Sequence, residues 1–546
     1  MNNKGIKILG KTLICASLVF SFQLPFFNSL YAQQPVVPDS VTAGQKRVDE
    51  VMKLIDGNYV DGPDMDKMST EAINAMLKAL DPHSIYIAAK DVDRANEGLQ
   101  GNFEGVGISF QIVSDTIVVQ SVIAGGPSEK VGIEIGDKLI RIDGKPATGD
   151  SINNNFVFKH LRGKKGTTVV IDLLRQGTLY TFHIVRDKVP IYSIDTWFMA
   201  NDTVGYIRLI RFARSSGDEF RKALKSLKKQ GMTALILDLR GNTGGYLDIA
   251  CQLANEFLDR GQLMVYQEGR RTPRQEYRAN GHGNWRAERN ADGSIKNCRL
   301  VVLVDEGSAS ASEIVSGAVQ DWDRGILIGR RTFGKGLVQR MMQLSDGGQI
   351  RLTTARYYTP SGRCIQRPYE EGSDAYRQDV NERYKHGELV NADSIHFPDS
   401  LKYRTAHGRT VYGGGGVMPD IFVPMDTMRL TDYFISLRGK GLLNTFPLQW
   451  ADAHRKDAAV KNFDLFMQNY DTFGLDSLLA TEAIAKGVVR DTEKEAAEPE
   501  RTAHSDNYLH LVLKAQVAKD LFGIEYYYKV MKETDDGYNR AIEYLR

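Results

Sequence analysis

From Arg47 to about Gly98, apolar residues recur at helical spacing. Two polar breaks interrupt them, Asn58-Tyr59-Val60-Asp61-Gly62-Pro63 and Leu80-Asp81-Pro82-His83-Ser84. Gly, Pro, Asn and Asp punctuate helices, so the pattern predicts a broken helical region. Near residue 101 the period changes. Short β-branched runs at 106–113, 116–122, 138–142, 168–174 and 179–185 are split by glycine turns, which predicts a β-rich module with one helix at 151–161. From 203 to about 424 strands and helices alternate. Residues 203–209, 234–239, 300–304 and 326–329 are near-continuous apolar runs and read as buried strands, while 218–229, 247–258 and 312–322 read as helices. Such alternation predicts an α/β core. In the region 426–546, Leu509, Val512, Leu513, Val517 and Leu521 mark one core-facing helix, and the charged stretch 491–501 reads as a solvated linker.

The first 32 residues stand apart. Lys4, Lys7 and Lys11 precede an apolar stretch from Leu13 to Leu24, and the small residue Ala32 precedes Gln33-Gln34. This reads as a secretory signal peptide cleaved after Ala32; an uncleaved anchor is the rival reading. The apolar stretch is short for a bilayer span. Export places the mature chain in the periplasm or cell envelope. Cleavage would leave Cys251, Cys298 and Cys364, an odd and sparse set that makes no disulfide framework. No CxxC or HExxH occurs, so nothing calls for a metal. The 546 residues imply several domains. The net charge of +2 gives no electrostatic footprint for nucleic acid.

The β-module opens on Phe103-Glu104-Gly105-Val106-Gly107-Ile108. Glycines ahead of a strand let backbone N–H groups converge on a terminal carboxylate, while the sheet edge beside them pairs with the rest of a peptide. Residues 125–144 (GGPSEKVGIEIGDKLIRIDG) closely resemble the bacterial PDZ signature. The resemblance implies a module that reads free C-termini.

Three segments carry candidate chemistry. Glu306-Gly307-Ser308-Ala309-Ser310-Ala311-Ser312-Glu313 sits where a strand turns into a helix. Serine caps helices there, and a nucleophile gains there from free N–H groups and the helix dipole. Spacing alone does not distinguish Ser308, Ser310 and Ser312. Asp238-Leu239-Arg240-Gly241-Asn242-Thr243-Gly244-Gly245 lies at a second strand-to-helix turn. Its glycine pair can bring backbone N–H groups close to a ligand, as half of an oxyanion hole. In Gly334-Lys335-Gly336-Leu337-Val338-Gln339, a strand beginning at once would project Lys335 and Gln339 from one face. A buried lysine loses proton affinity and becomes a usable base for serine. Residues 329–335 mimic the first seven positions of a P-loop, but Gly336 stands where Ser or Thr is required, and strand follows instead of helix.

With all these blocks in order, together with Tyr358-Thr359-Pro360-Ser361-Gly362-Arg363 and Gly415-Gly416-Val417-Met418-Pro419-Asp420, the chain from about Val48 to Pro424 resembles the C-terminal processing (tail-specific) peptidases, PDZ-containing Ser-Lys serine proteases. The resemblance implies an α/β core of the crotonase and Clp-protease type with a mostly β PDZ domain inserted, plus N- and C-terminal helical regions. The expected division is 1–32 signal peptide, 33–98 linker and helical region, 99–188 PDZ domain, 189–425 protease core and 426–546 helical region. The resemblance implies Ser310 as nucleophile, Lys335 as general base and Gln339 as its orienting partner. The N–H groups of Gly245 and Ala311 match the oxyanion hole. Gly105, Val106, Gly107 and Ile108 match the tail-binding nest, and Arg162 matches a residue coupling tail binding to activation. The expected partners are proteins or peptides with free, apolar C-termini. No metal, nucleotide or organic cofactor and no nucleic acid is expected. The region 426–546 either caps the core or builds a homo-oligomer. A catalytically idle PDZ scaffold is the alternative.

Overall fold

The structure, a computed structural model, describes residues 42–113, 115–289 and 295–546. The expected signal peptide lies outside the described residues. Contacts divide the chain into Met1–Tyr59 and Val60–Arg546. The first unit contributes one helix, Ala43–Asn58, closed by a Thr42/Gln45 capping box and burying no residue of its own.

In the second unit, helix Met65–Lys78 runs into the turn at 80–84, a short strand Ile85–Ile87 and helix Val92–Gln100. The β-module follows. Its antiparallel six-stranded sheet contains Ile108–Val113, Thr116–Val122, Lys138–Ile142, Thr168–Arg175 and Thr178–Val185. Alternate residues such as Val169, Ile171 and Leu173 turn inward onto Ile117, Leu139 and Ile142, as the two-residue period of a strand requires. Helix Asn154–Leu161 packs on this core through Val157 and Leu161. Ladder Asn102–Gly105 with Asp187–Pro190 closes the module where the chain enters and leaves it.

The larger core is a sheet ordered Ile194–Met199, Val204–Leu209, Ala234–Asp238, Arg299–Val304, Ile326–Gly329 and Ile421–Phe422. Its first pair is antiparallel and the rest are parallel. Strand Ala234–Asp238 is buried along its whole length, the mark of a parallel strand covered on both faces. Helices Ser216–Lys229, Leu247–Asn255 and Ala311–Asp321 cover one face. The last helix of the chain, Asp536–Leu545, covers the other: Tyr538, Ala541 and Leu545 pack against Tyr206, Val301 and Leu303. Of the region 426–546, this final helix caps that face of the core sheet.

A second sheet joins Ile85–Ile87, Leu263–Gly269, Thr272–Arg278, Leu337–Gln343 and Gln349–Tyr358; of these the sequence reading anticipates only the strand that follows Gly336. The stretch read as a linker at 491–501 is also structured. It forms helix Thr492–Ala497, capped by Asp491, and then opens the 24-residue helix Pro499–Phe522. Ion pairs of Arg490 with Glu495 and Asp506, and of Lys494 with Asp432, use the charges that made it look solvated.

Candidate active site

The strand Arg299–Val304 ends in a loop whose serines have different fates. Ser308 is fully buried and donates to the Leu239 carbonyl at 2.8 Å. Ser312 is fully buried and donates to the Asn242 carbonyl at 2.8 Å. Ser310 stays partly open and lines a cleft of ≈ 300 Å³ with Gly244, Gly245, Lys335 and Gln339. Partners thus separate the three serines where spacing did not. Ser310 adopts φ 55°, ψ −111°, a region that costs a non-glycine residue on the order of 1–3 kcal/mol.

The surrounding loops hold that conformation. The side chain of Asn242 donates to the Leu209 carbonyl at 2.8 Å and accepts from Gly244 N–H at 2.9 Å. Its carbonyl accepts from Ala309 N–H at 2.9 Å. Gly244, at φ +99°, lies so close that an added Cβ would fall 2.8 Å from Ser310 Cβ. At Gly245, φ +152°, a Cβ would lie 2.1 Å from the Phe212 carbonyl oxygen. The N–H groups of Gly245 and of Ala311 find no acceptor among the described residues. Asp238 anchors the start of the glycine loop. It is fully buried and accepts from Arg240, Arg208 and Tyr206. Burial pushes its carboxyl up, but the two guanidiniums and these hydrogen bonds win and hold it well below the usual carboxylate range. Arg240 reaches on to Asp535, just ahead of the final helix, at 2.8 and 2.7 Å.

Two residues to which the sequence reading gave no role bind the serine loop to the lysine loop. The fully buried Glu313 carboxylate accepts from Ser310 N–H at 2.8 Å, Thr332 Oγ1 at 2.5 Å, Gly334 N–H at 2.7 Å and Lys335 N–H at 2.9 Å. Burial raises its proton affinity against these four donors. The spacing Ser310 to Glu313 is that of a capping box, a signal available in the sequence. The Tyr357 hydroxyl lies 3.0 Å from the Ser310 carbonyl and 2.7 Å from that of Lys335.

Lys335 is mostly buried, and its amine has no hydrogen-bond or ion-pair partner among the described residues. Burial lowers its proton affinity, as does Arg351, while Glu313 and Asp81 work in the opposite sense. Gln339 shares the cleft, but its amide donates to Thr353 Oγ1 at 3.2 Å. The strand begins only at Leu337, past Lys335, and its register shifts between Val338 and Gln339.

The β-module carries a second depression of ≈ 530 Å³ between strand Ile108–Val113 and helix Asn154–Leu161. Val106, Gly107, Ile108, Phe110, Val157 and Phe158 line it. The N–H groups of Val106 and Gly107 have no acceptor among the described residues. Gly105 does not line this groove; it stays in the ladder opposite Asp187. Arg162 stands on the groove wall between the rings of Phe103 and Phe158, 5.0 and 4.7 Å away, and pairs with Glu97 of helix Val92–Gln100. Leu99 of the same helix lines the Ser310 cleft.

Residues 203–371 match peptidase family S41, residues 105–185 match the PDZ domain family, and residues 433–523 match a family of unknown function. The carboxy-terminal-processing protease of Bartonella bacilliformis is 32% identical over 407 residues, covering 73% of this chain and 90% of that protein. A probable CtpA-like serine protease of Staphylococcus aureus is 33% identical over 328 residues, which is 59% of this chain and 63% of the relative. The match thus spans under two thirds of the staphylococcal protein's length. The solved photosystem II D1 C-terminal processing protease is 28% identical and covers 70% of this chain and 94% of its own, with a TM-score of 0.35. A superposition at that level adds no weight. The match to nearly the whole Bartonella protein does, and by it this chain belongs to the carboxy-terminal-processing proteases of peptidase family S41, with a PDZ domain ahead of the protease core.

Proposed function

We propose that the chain is an exported serine endopeptidase that captures the free C-terminus of a protein in its PDZ groove and cleaves the adjoining tail with a Ser310–Lys335 dyad. One observation carries this reading. A single cleft holds a strained, accessible serine with, among the described residues, a lysine amine that has no partner and an unpaired Gly245 N–H group; the Ala311 N–H group follows directly after the serine. In the reaction Ser310 Oγ attacks the scissile carbonyl carbon, and its proton passes to the neutral Lys335 amine. The N–H groups of Gly245 and Ala311 donate to the oxyanion. Collapse of the tetrahedral intermediate breaks the C–N bond, and the Lys335 ammonium returns the proton to the leaving amine. Water then attacks the acyl-enzyme and gives a proton to Lys335, which passes it back to Ser310 as the new carboxylate leaves. The apolar groove and the free N–H groups of Val106 and Gly107 fit an apolar terminal residue and its carboxylate. Export rests on the composition of residues 1–32.

The test is cleavage of an unfolded protein with an apolar C-terminus, read by mass spectrometry. Fragments that appear with the full chain and vanish with Ser310→Ala support the enzyme. Tail binding without any fragment would favour a scaffold.

A further inference from the structure

Buried charges are ordinarily paired, because desolvation is repaid only by a counter-charge. Arg351 is half-buried in the cleft itself, and there its charge has no counter-carboxylate among the described residues. It lies on strand Gln349–Tyr358 and lines the same ≈ 300 Å³ as Ser310 and Lys335. Its Nη2 donates to the Ala95 carbonyl at 2.8 Å and to Asn96 Oδ1 at 2.9 Å, both neutral groups of helix Val92–Gln100. Its Nε is buried without a partner, and no carboxylate pairs with it among the described residues.

The charges facing Lys335 come from every side. Glu313 lies on the helix that follows Ser310, Asp81 and His83 lie on the turn at 80–84, and Arg351 and the Tyr357 hydroxyl come from one strand. His83 is lowered to about 4, by burial first and then by Lys335, so it is neutral at neutral pH. Two carboxylates therefore favour the ammonium form of Lys335. Burial and one cation oppose them. A guanidinium does not titrate in the working range, so its field is constant.

We infer that Arg351 is a positioning residue for the reaction: its guanidinium, fixed in the cleft without a counter-carboxylate, keeps the Lys335 amine in the neutral form that takes the Ser310 proton. This rests on the Ser-Lys reading and names how that reading is satisfied at neutral pH.

The experiment is the pH profile of kcat/KM for the full chain and for Arg351→Gln, Arg351→Lys and Asn96→Asp. Asn96→Asp sets a carboxylate against the guanidinium without touching Arg351, and so covers an Arg351→Gln protein that fails to fold. Both Arg351→Gln and Asn96→Asp should move the rising limb up by about one pH unit, which is about tenfold in rate below the limb. The alkaline plateau should be retained, and Arg351→Lys should keep the parental midpoint. As an independent readout, the Lys335 amine in Ser310→Ala protein is titrated by pH-dependent acetylation, with and without Arg351→Gln; the midpoint should shift by the same amount. An unchanged midpoint in the folded variants would overturn the inference. So would an effect confined to KM for acidic substrates, which would make Arg351 a substrate anchor. Activity in Lys335→Ala would instead sink the Ser-Lys reading; an inactive Lys335→Ala beside an unmoved Arg351→Gln midpoint would sink this inference alone.

Discussion

An amine that must accept a proton at neutral pH has to be held in a place that is hostile to its charge. Lys335 meets that condition through burial and the absence of any partner for its amine among the described residues. If it acts as the base, Ser310→Ala and Lys335→Ala should each lower kcat by about three orders of magnitude or more, and the double variant should be scarcely worse than either. Clear additivity in single-turnover rates would show that the two do not act as one unit. The same hostility costs stability. The folded chain holds the Lys335 proton less tightly than the unfolded chain, whose amine titrates near 10.5. The native state is therefore penalised at neutral pH, and the penalty fades as pH rises toward that value. Lys335→Met should melt above the parent at pH 7, with the gap closing toward about pH 10, as active-site strain commonly allows. Calorimetry at the two values decides it, and a lower melting point at pH 7 would contradict the account.

At the scale of elements, helix Ala311–Asp321 and the loop 332–336 meet through one carboxylate. Glu313→Gln would turn an amide NH2 toward donors that now share two oxygens. An unsatisfied buried donor costs about 1–3 kcal/mol. The variant should fold with a lowered melting point and lose kcat far more than KM; unchanged kcat would remove Glu313 from the positioning of the dyad. The tail groove is tested by the substrate. Amidating its C-terminus removes the charge that the Val106 and Gly107 N–H groups face, so cleavage should slow well below saturation, and equal rates for free and amidated tails would refute tail reading. The elements that were legible in sequence share one physical feature. Strands 300–304 and 326–329 are buried on both faces and so appear as apolar runs. In the second sheet, strand Thr272–Arg278 was hidden because it exposes most of its residues, so its sequence is nearly all polar. Residues 491–501 were misread because a surface helix held by ion pairs lacks an apolar stripe. At the site, the serine run and the glycine-flanked Lys335 could be read as candidate chemistry, but flanking residues did not single out Ser310; only the resemblance pointed to it, because the burial and partners that set Ser308 and Ser312 apart are not visible in spacing. The partner of Gln339 could not be read either, because a register shift is invisible in a period of two.

At the scale of the whole molecule, the end of the chain is tied to the centre of the core. Helix Asp536–Leu545 buries Tyr538, Ala541 and Leu545 on the sheet face opposite helix Ala311–Asp321, and just ahead of it Asp535 holds Arg240, which holds Asp238 at the root of the glycine loop. The covered strands Ala234–Asp238 and Arg299–Val304 are those that lead into the Gly245 and Ser310 turns. Ending the chain after Thr534 therefore strips the cover from Tyr206, Val301 and Leu303 and leaves Arg240 without its second carboxylate. Removing one large buried side chain costs about 3–5 kcal/mol, and total stability is only about 5–15 kcal/mol. The truncated chain should be insoluble, or bind a hydrophobic dye and melt many degrees lower. Tyr538→Ala isolates the packing and should lower the melting point with little change in kcat at a temperature where it is folded. Asp535→Asn isolates the ion pair and should do the reverse, lowering kcat with a small change in melting point. A truncated chain that melts and cleaves like the parent would show that the final helix is a surface appendage and that the sheet is stable with one face open.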